Sequence, residues 1–219
     1  MGALRWWSCV LLVACGPTEV TAPTTSGGGE SFESPPYDVT RTRLEQTDDV
    51  AIASQLAVAC SDLNGTKENS WYRVFSLADM GVDSAFTVYR VNFAVQTAIG
   101  DQRVKVSIGT YAGDAGSVEL DPAKIDVLGL TTIPVAEGPT QMLQASFPAI
   151  EVPQDSKLVV EIKSEGYDDG RFFYLGSTRS AEMSPGYLRA PTCGLANPVM
   201  TSAVGYSQSH LIIAVSGAY

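Results

Sequence analysis

From Trp71 onward the chain alternates apolar and polar residues with a period of two. That is the pattern of strands that bury one face. Val104, Val106 and Ile108 fall on one side, and Arg103, Lys105 and Ser107 on the other. Val88, Val91, Phe93 and Val95 mark another strand, whose phase changes near Tyr89-Arg90 as a β-bulge would cause. Further strands are expected at Ile125 to Leu128, Met142 to Phe147, Leu158 to Ile162, Arg171 to Leu175 and Leu211 to Val215. Turn residues separate them: Gly100-Asp101, Gly113-Asp114, Glu137-Gly138-Pro139, Pro153-Gln154-Asp155, Asp169-Gly170 and Pro185-Gly186. One helical turn fits at Leu77-Ala78-Asp79-Met80. Strands spaced about 10–15 residues apart, without helices between them, predict an all-β fold, an antiparallel two-sheet β-sandwich. A jelly-roll order is the first expectation and an immunoglobulin-like order the second.

Upstream of Trp71 the pattern is less regular. Val50 to Ala53 and Leu56 to Ala59 fit strands or one short helix, and a strand ending near Cys60 is the expectation. Ser61-Asp62-Leu63-Asn64-Gly65 reads as a turn, with Asn-Gly supplying positive φ. Trp71 and Phe75 are expected to fill core.

The N-terminus follows a different rule. Met1 to Arg5 carries one positive charge, and Trp6 to Ala14 is uncharged and mostly apolar. That run is too short to span a bilayer, which takes about 20 residues, and has the length of a signal-peptide core. Leu12-Val13-Ala14-Cys15 then resembles the lipobox of bacterial lipoproteins. The resemblance implies cleavage of residues 1–14, a diacylglycerol on the Cys15 thiol and membrane attachment; two or three acyl chains hold a protein stably where one does not. Gly16 is not aspartate, so in a Gram-negative cell resembling the enteric group the implied destination is the outer membrane. Residues 15–36, with Pro17, Pro23, Gly27-Gly28-Gly29 and Pro35-Pro36, are too poor in apolar side chains for a core and read as a disordered tether. Its root-mean-square reach is about 25 Å. Residues 37–219 form the expected β-sandwich domain, of ordinary single-domain size.

The formal charge is −10, and loss of residues 1–14 removes Arg5 and no acid, leaving −11. Such a surface repels nucleic acid. It keeps the body soluble and is compatible with a divalent cation. Of four cysteines, Cys9 leaves with the signal peptide and Cys15 takes lipid. Cys60 and Cys193 remain, and in an oxidising compartment they are expected to form a disulfide. No Cys/His spacing supports a zinc site.

A second resemblance covers residues 60–217. It rests on Ser70 to Leu77, Val91 to Val95, Leu158 to Ile162, Tyr187 to Gly194 and His210 to Gly217, in that order. These stretches are similar to an uncharacterised accessory module found at the ends of bacterial secreted multidomain proteins. The implied body is an extracellular β-rich domain, with no activity attached.

Catalytic motifs are missing from the pattern. His210 is the one histidine, and Gly205-Tyr206-Ser207-Gln208-Ser209 lacks the second glycine of a nucleophile elbow. Asp168-Asp169 precede Gly170 and read first as a hairpin turn, then as candidate calcium ligands. Asp79 and Asp83, flanking Gly81, read the same way. Asp62-x-Asn64-Gly65 is too short for an EF-hand loop. Aromatics are plentiful: Trp71, Tyr72, Tyr89, Tyr111, Tyr167, Phe172, Phe173 and Tyr174. Where exposed, such rings offer flat stacking surfaces for sugars. The expected function is a lipid-anchored, non-catalytic binding or accessory module for a glycan or protein ligand. The alternative is a hydrolase or lyase of polysaccharide on the same fold, which would need acid/base groups converging in a concave site.

Overall fold

The computed structural model describes residues 41–47 and 51–219. The expected signal peptide (1–14), Cys15, the tether (15–36) and Val50 lie outside the described residues. Among the described residues fifteen strands follow one another. They are β1 (Arg41–Leu44), β2 (Ser61–Asp62), β3 (Gly65–Thr66), β4 (Asn69–Ser76), β5 (Phe86–Ile99), β6 (Gln102–Tyr111), β7 (Ile125–Val135) and β8 (Gln141–Val152). Then come β9 (Lys157–Ser164), β10 (Phe172–Leu175), β11 (Ser177–Thr178), β12 (Gly186–Ala190), β13 (Leu195–Met200), β14 (His210–Leu211) and β15 (Ile213–Ala218).

The pairing is nested. β6 pairs β7, β5 pairs β8, β4 pairs β9 and β1 pairs β15, all antiparallel. This is one long hairpin rolled on itself, and rolling adds the lateral pairs β5–β15 and β6–β9. One sheet runs β1-β15-β5, with β8 on the other side of β5 and β10 pairing the end of β5. The second sheet runs β13-β12-β4-β9-β6-β7. Nested pairs distributed over two sheets make a jelly roll, the first of the two expected orders. An insertion between β9 and β15 carries the β12–β13 hairpin, which widens the second sheet beyond β4.

Period-two patterning fixes what lies between the sheets. Trp71, Phe75, Phe93, Val95, Val104, Val106, Val160 and Ile162 have no exposed surface. Trp71 meets Phe173 edge to face, with ring centroids 5.6 Å apart. The phase change near Tyr89-Arg90 is a bulge: the β5–β8 register shifts between Val88 and Arg90. A smaller cluster of Tyr72, Val74, Tyr111, Leu120, Val159 and Tyr187 lies on the opposite face of the second sheet. The β6–β7 connection covers it, with Leu120 N–H donating to Pro198 O and Met200 N–H to Val118 O.

One expectation is corrected. Residues 51–60 form neither strand nor helix. They have no strand to pair with, and scattered bonds satisfy their backbone instead. Trp71 Nε1–H donates to Val58 O (2.7 Å), Ala57 N–H to Gln96 Oε1 (3.0 Å) and Ser209 Oγ–H to Leu56 O (2.7 Å). The single helical turn expected at Leu77 to Met80 is present: Met80 N–H donates to Ser76 O and Leu77 O and Gly81 N–H to Ala78 O, and the turn ends at Gly81 with φ +76°.

Cys60 and Cys193 are disulfide-bonded, with Cα atoms 5.9 Å apart. The bridge ties the segment entering β2 to the short turn that follows β12.

Candidate functional site

Two loops interlock at one end of the sandwich. The β2–β3 hairpin folds over Asn69, which is fully buried. Asn69 Oδ1 accepts from Cys60 N–H (2.7 Å), and its Nδ2 donates to Cys60 O (3.1 Å) and Lys67 O (2.7 Å). The hairpin then bonds the connection from β9 to β10. Tyr167 N–H donates to Thr66 O (2.8 Å), Thr66 N–H to Arg171 O (3.1 Å) and Gly170 N–H to Asn64 O (2.7 Å). Gly65 makes this approach possible: a Cβ there would lie 2.5 Å from Tyr167 O and 2.7 Å from Arg171 O. The Asn-Gly turn was expected to supply a positive φ, and it does so at its glycine. Only Gly65 has one, at +151°, because closeness to the second loop is what demands glycine.

This end gathers most of the side chains singled out in the sequence. Phe172 and Tyr174 alternate with Phe173 along β10. Phe173 enters the core, whereas Phe172 and Tyr174 are partly exposed, their rings parallel within 10° and 6.2 Å apart. The Tyr174 hydroxyl bonds Ser61 Oγ at 3.3 Å. Tyr167, also partly exposed, lies beneath the Arg171 guanidinium, 4.0 Å from the ring centroid, a cation–π contact. Arg171 grips Asp169 through both Nε and Nη2 at 2.7–3.1 Å. That hydrogen bonding holds the Asp169 carboxyl below the usual carboxylate range. Lys67 bridges Asp168 and Asp62. Bonding to Asp168, then Asp62, raises the Lys67 ammonium, and the bond from Lys67 lowers Asp62.

Asp168 and Asp169 thus each engage their own cation. Among the described residues no three His, Cys, Asp or Glu side chains converge as a metal-ligand group. Asp79 lies elsewhere, in a shallow depression with Thr42, Arg43, Glu45 and Met183. Tyr72 and Tyr111 belong to the covered outer cluster, and Tyr89 is exposed on β5.

His210 opens β14, as its alternation implied, but its surroundings were not foreseen. Nδ1 faces Ser180 O and Nε2 faces Ser207 O (3.1 Å), so neither ring nitrogen meets a hydroxyl. The Glu182 carboxylate lies 3.9 Å from Nε2 and also contacts Arg73, which is fully buried. Arg73 Nε and Nη2 donate to Leu211 O (3.1 and 2.7 Å), and Nη1 donates to Ser184 O. Burial lowers the Arg73 pKa, and Glu182 opposes that. The sequence signal was available: Arg73 stands on the same strand face as Trp71 and Phe75, where a charge has to be compensated. This cluster ties β4, β14 and the segment before β12 together through side-chain bonds to backbone carbonyls.

Comparison with known proteins finds no matching family model, no similar curated protein and no similar solved structure. The chemistry of the aromatic end therefore rests on its own geometry. Rings offer stacking faces, and Arg171, Asp169, Asp168 and Lys67 offer hydrogen-bonding groups held in place by one another.

Proposed function

We propose that this chain is an exported, lipid-anchored, non-catalytic binding protein whose β-sandwich takes a glycan at its aromatic end. The observation that carries the reading is the set of partly exposed rings, Tyr167, Phe172 and Tyr174, around two loops braced by backbone bonds and a nearby disulfide. Sugars have apolar C–H faces that stack on rings and hydroxyls that bond to fixed carboxylates and guanidinium groups. A braced site loses little freedom on binding. The lipobox supplies the anchor through Cys15, and the disulfide suits an oxidising compartment. In a Gram-negative cell the destination is the outer membrane.

The test places the detergent-solubilised full chain on a polysaccharide and cell-wall array, with calcium and with a chelator. Retention lost in both Phe172→Ala and Tyr174→Ala, and unaffected by chelation, supports the aromatic site. Retention that needs calcium moves the site to the acidic loops. No retention on any glycan sinks the reading. For the anchor, palmitate labelling and membrane fractionation should both be lost in Cys15→Ser; labelling that persists there would remove the lipid assignment.

A further inference from the structure

The outer face of the second sheet carries a row of cations. Arg189 on β12 stands opposite Ser70 on β4, Ser70 opposite Lys163 on β9, and Lys163 opposite Lys105 on β6. Residues directly opposed on neighbouring strands share a face, so the row crosses four strands, about 14 Å at about 4.8 Å per step. Lys163 and Lys105 are like charges in direct opposition, which destabilises a sheet. Opposite charges on the two strands would serve the fold better. Two carboxylates from loops answer the row instead. Glu165 Oε1 lies 2.7 Å from Lys105 Nζ. Glu68 Oε1 lies 2.6 Å from Arg189 Nη1 and 3.4 Å from Lys163 Nζ, so two cations converge on a single oxygen. Between them Ser70 is fully buried, and its Oγ has no hydrogen-bond partner among the described residues.

The row borders the aromatic end. Glu165 is two residues before Tyr167, whose hydroxyl donates to Arg103 O (3.5 Å), and Arg103 shares a face of β6 with Lys105. A chain of net charge −10 repels a polyanion over most of its surface. Here four cations face only Glu68, Glu165 and, beside Tyr72 in the next row, Glu161.

We infer that the glycan taken at the aromatic end is acidic, and that a uronic-acid carboxylate on it displaces Glu68 from Arg189 and Lys163. This rests on the glycan reading and narrows it to one class. The group seated on the two cations is itself a carboxylate, so their geometry already fits one. Exchanging one carboxylate for another leaves neither cation unpaired. The Glu68 side chain is 32% exposed and can turn out to solvent. Ser70 Oγ supplies a donor at the floor of the site, and Lys105, one strand further along, meets the next charged unit of the polymer.

The test immobilises polygalacturonate and alginate, each beside its neutral methyl ester, and measures retention of the detergent-solubilised full chain with a chelator present. Retention on an acid form should be about tenfold above that on its ester, the worth of one charge-assisted bond. It should be lost in Arg189→Gln and in Lys163→Gln. Glu68→Gln removes the competing carboxylate and should strengthen retention; a variant that binds no better than the unaltered chain overturns the inference. Equal retention on acid and ester, or retention on neutral glycans alone, also overturns it and leaves the glycan reading standing. Dextran sulfate held as tightly as the acids overturns the carboxylate assignment in favour of attraction for any polyanion. Acid retention lost in Arg189→Gln but untouched by Phe172→Ala and Tyr174→Ala fails the aromatic reading and not the carboxylate site. Circular dichroism confirms that each variant is folded.

Discussion

Arg73 and Glu182 form an ion pair inside the protein, with Nη2 2.8 Å from Oε2 but out of line for a hydrogen bond. Arg73 has no exposed surface and stands on the core-facing side of β4 between Trp71 and Phe75. The pair, with the bonds to Leu211 O and Ser184 O, ties β4 to the segment between β11 and β12 and to β14. Removing one partner leaves a buried charge. Glu182→Leu is therefore expected to cost about 3–5 kcal/mol, whereas the double variant Arg73→Met/Glu182→Leu recovers most of that loss. Urea unfolding of the two variants decides it: a double variant as unstable as the single one would mean that the carbonyl contacts, not the charge pair, dominate.

The disulfide closes a span of 133 residues. Replacing both cysteines with alanine should lower stability by about 2–5 kcal/mol. Cys60 also starts the β2–β3 hairpin, so amide exchange at residues 61–67 should speed up more than in β4. Uniform loss of protection would show that the bridge acts on the whole fold and not on this end.

Gly65→Ala tests how tightly the two loops are joined. Its Cβ would collide with two backbone oxygens, and a φ of +151° strains any side chain. A loss of about 1–3 kcal/mol is expected, with local opening around Tyr167 and Arg171. Gly170→Ala, where φ is positive but a Cβ has open space, should cost less. Equal costs would show that backbone angle alone, and not loop contact, sets the requirement.

Acid should loosen this end. Arg189 first and Lys163 next hold Glu68 below its ordinary value of 4.5, while Lys67 and Arg171 do the same for Asp62 and Asp169 from 3.8. Depressed carboxylates contribute stability above their unfolded values and lose it as pH falls through the folded ones. Lys67, raised above 10.5, behaves in the opposite sense and fails only as pH climbs through its folded value. Protection of residues 61–67 and 165–173 is thus expected to be flat from roughly pH 5 to 10 and to fall below about pH 4. Protection unchanged at pH 3 would mean that the backbone bonds suffice without the ion pairs.

Much of the sandwich was legible because period two is a local signal. Val104, Val106 and Ile108 gave β6, and the phase change at Tyr89-Arg90 gave the bulge. The disulfide followed from counting cysteines. Long-range compensation was not legible. Arg73 looks like an error in an apolar run until Leu211 arrives from 138 residues away to accept its hydrogen bonds. Residues 51–60 read as strand because apolar content resembles pairing, yet the partners are single side chains such as Trp71 and Gln96. At the aromatic end, alternation puts Phe172 and Tyr174 on one face and Phe173 on the other. Which face is wet depends on how β10 docks beside β5, and no local pattern encodes that.

The nested pairing also dictates a timetable. β15 comes after all the other described strands in chain order, yet it lies between β1 and β5, with Leu44 opposite Val215. Until it arrives, the first sheet has a gap in its middle and β1 has nothing to hold it. The chain can gather its inner hairpin of β6 and β7 early, but it cannot close before β15 has been delivered. Folding should therefore be slow, with most contacts distant in sequence.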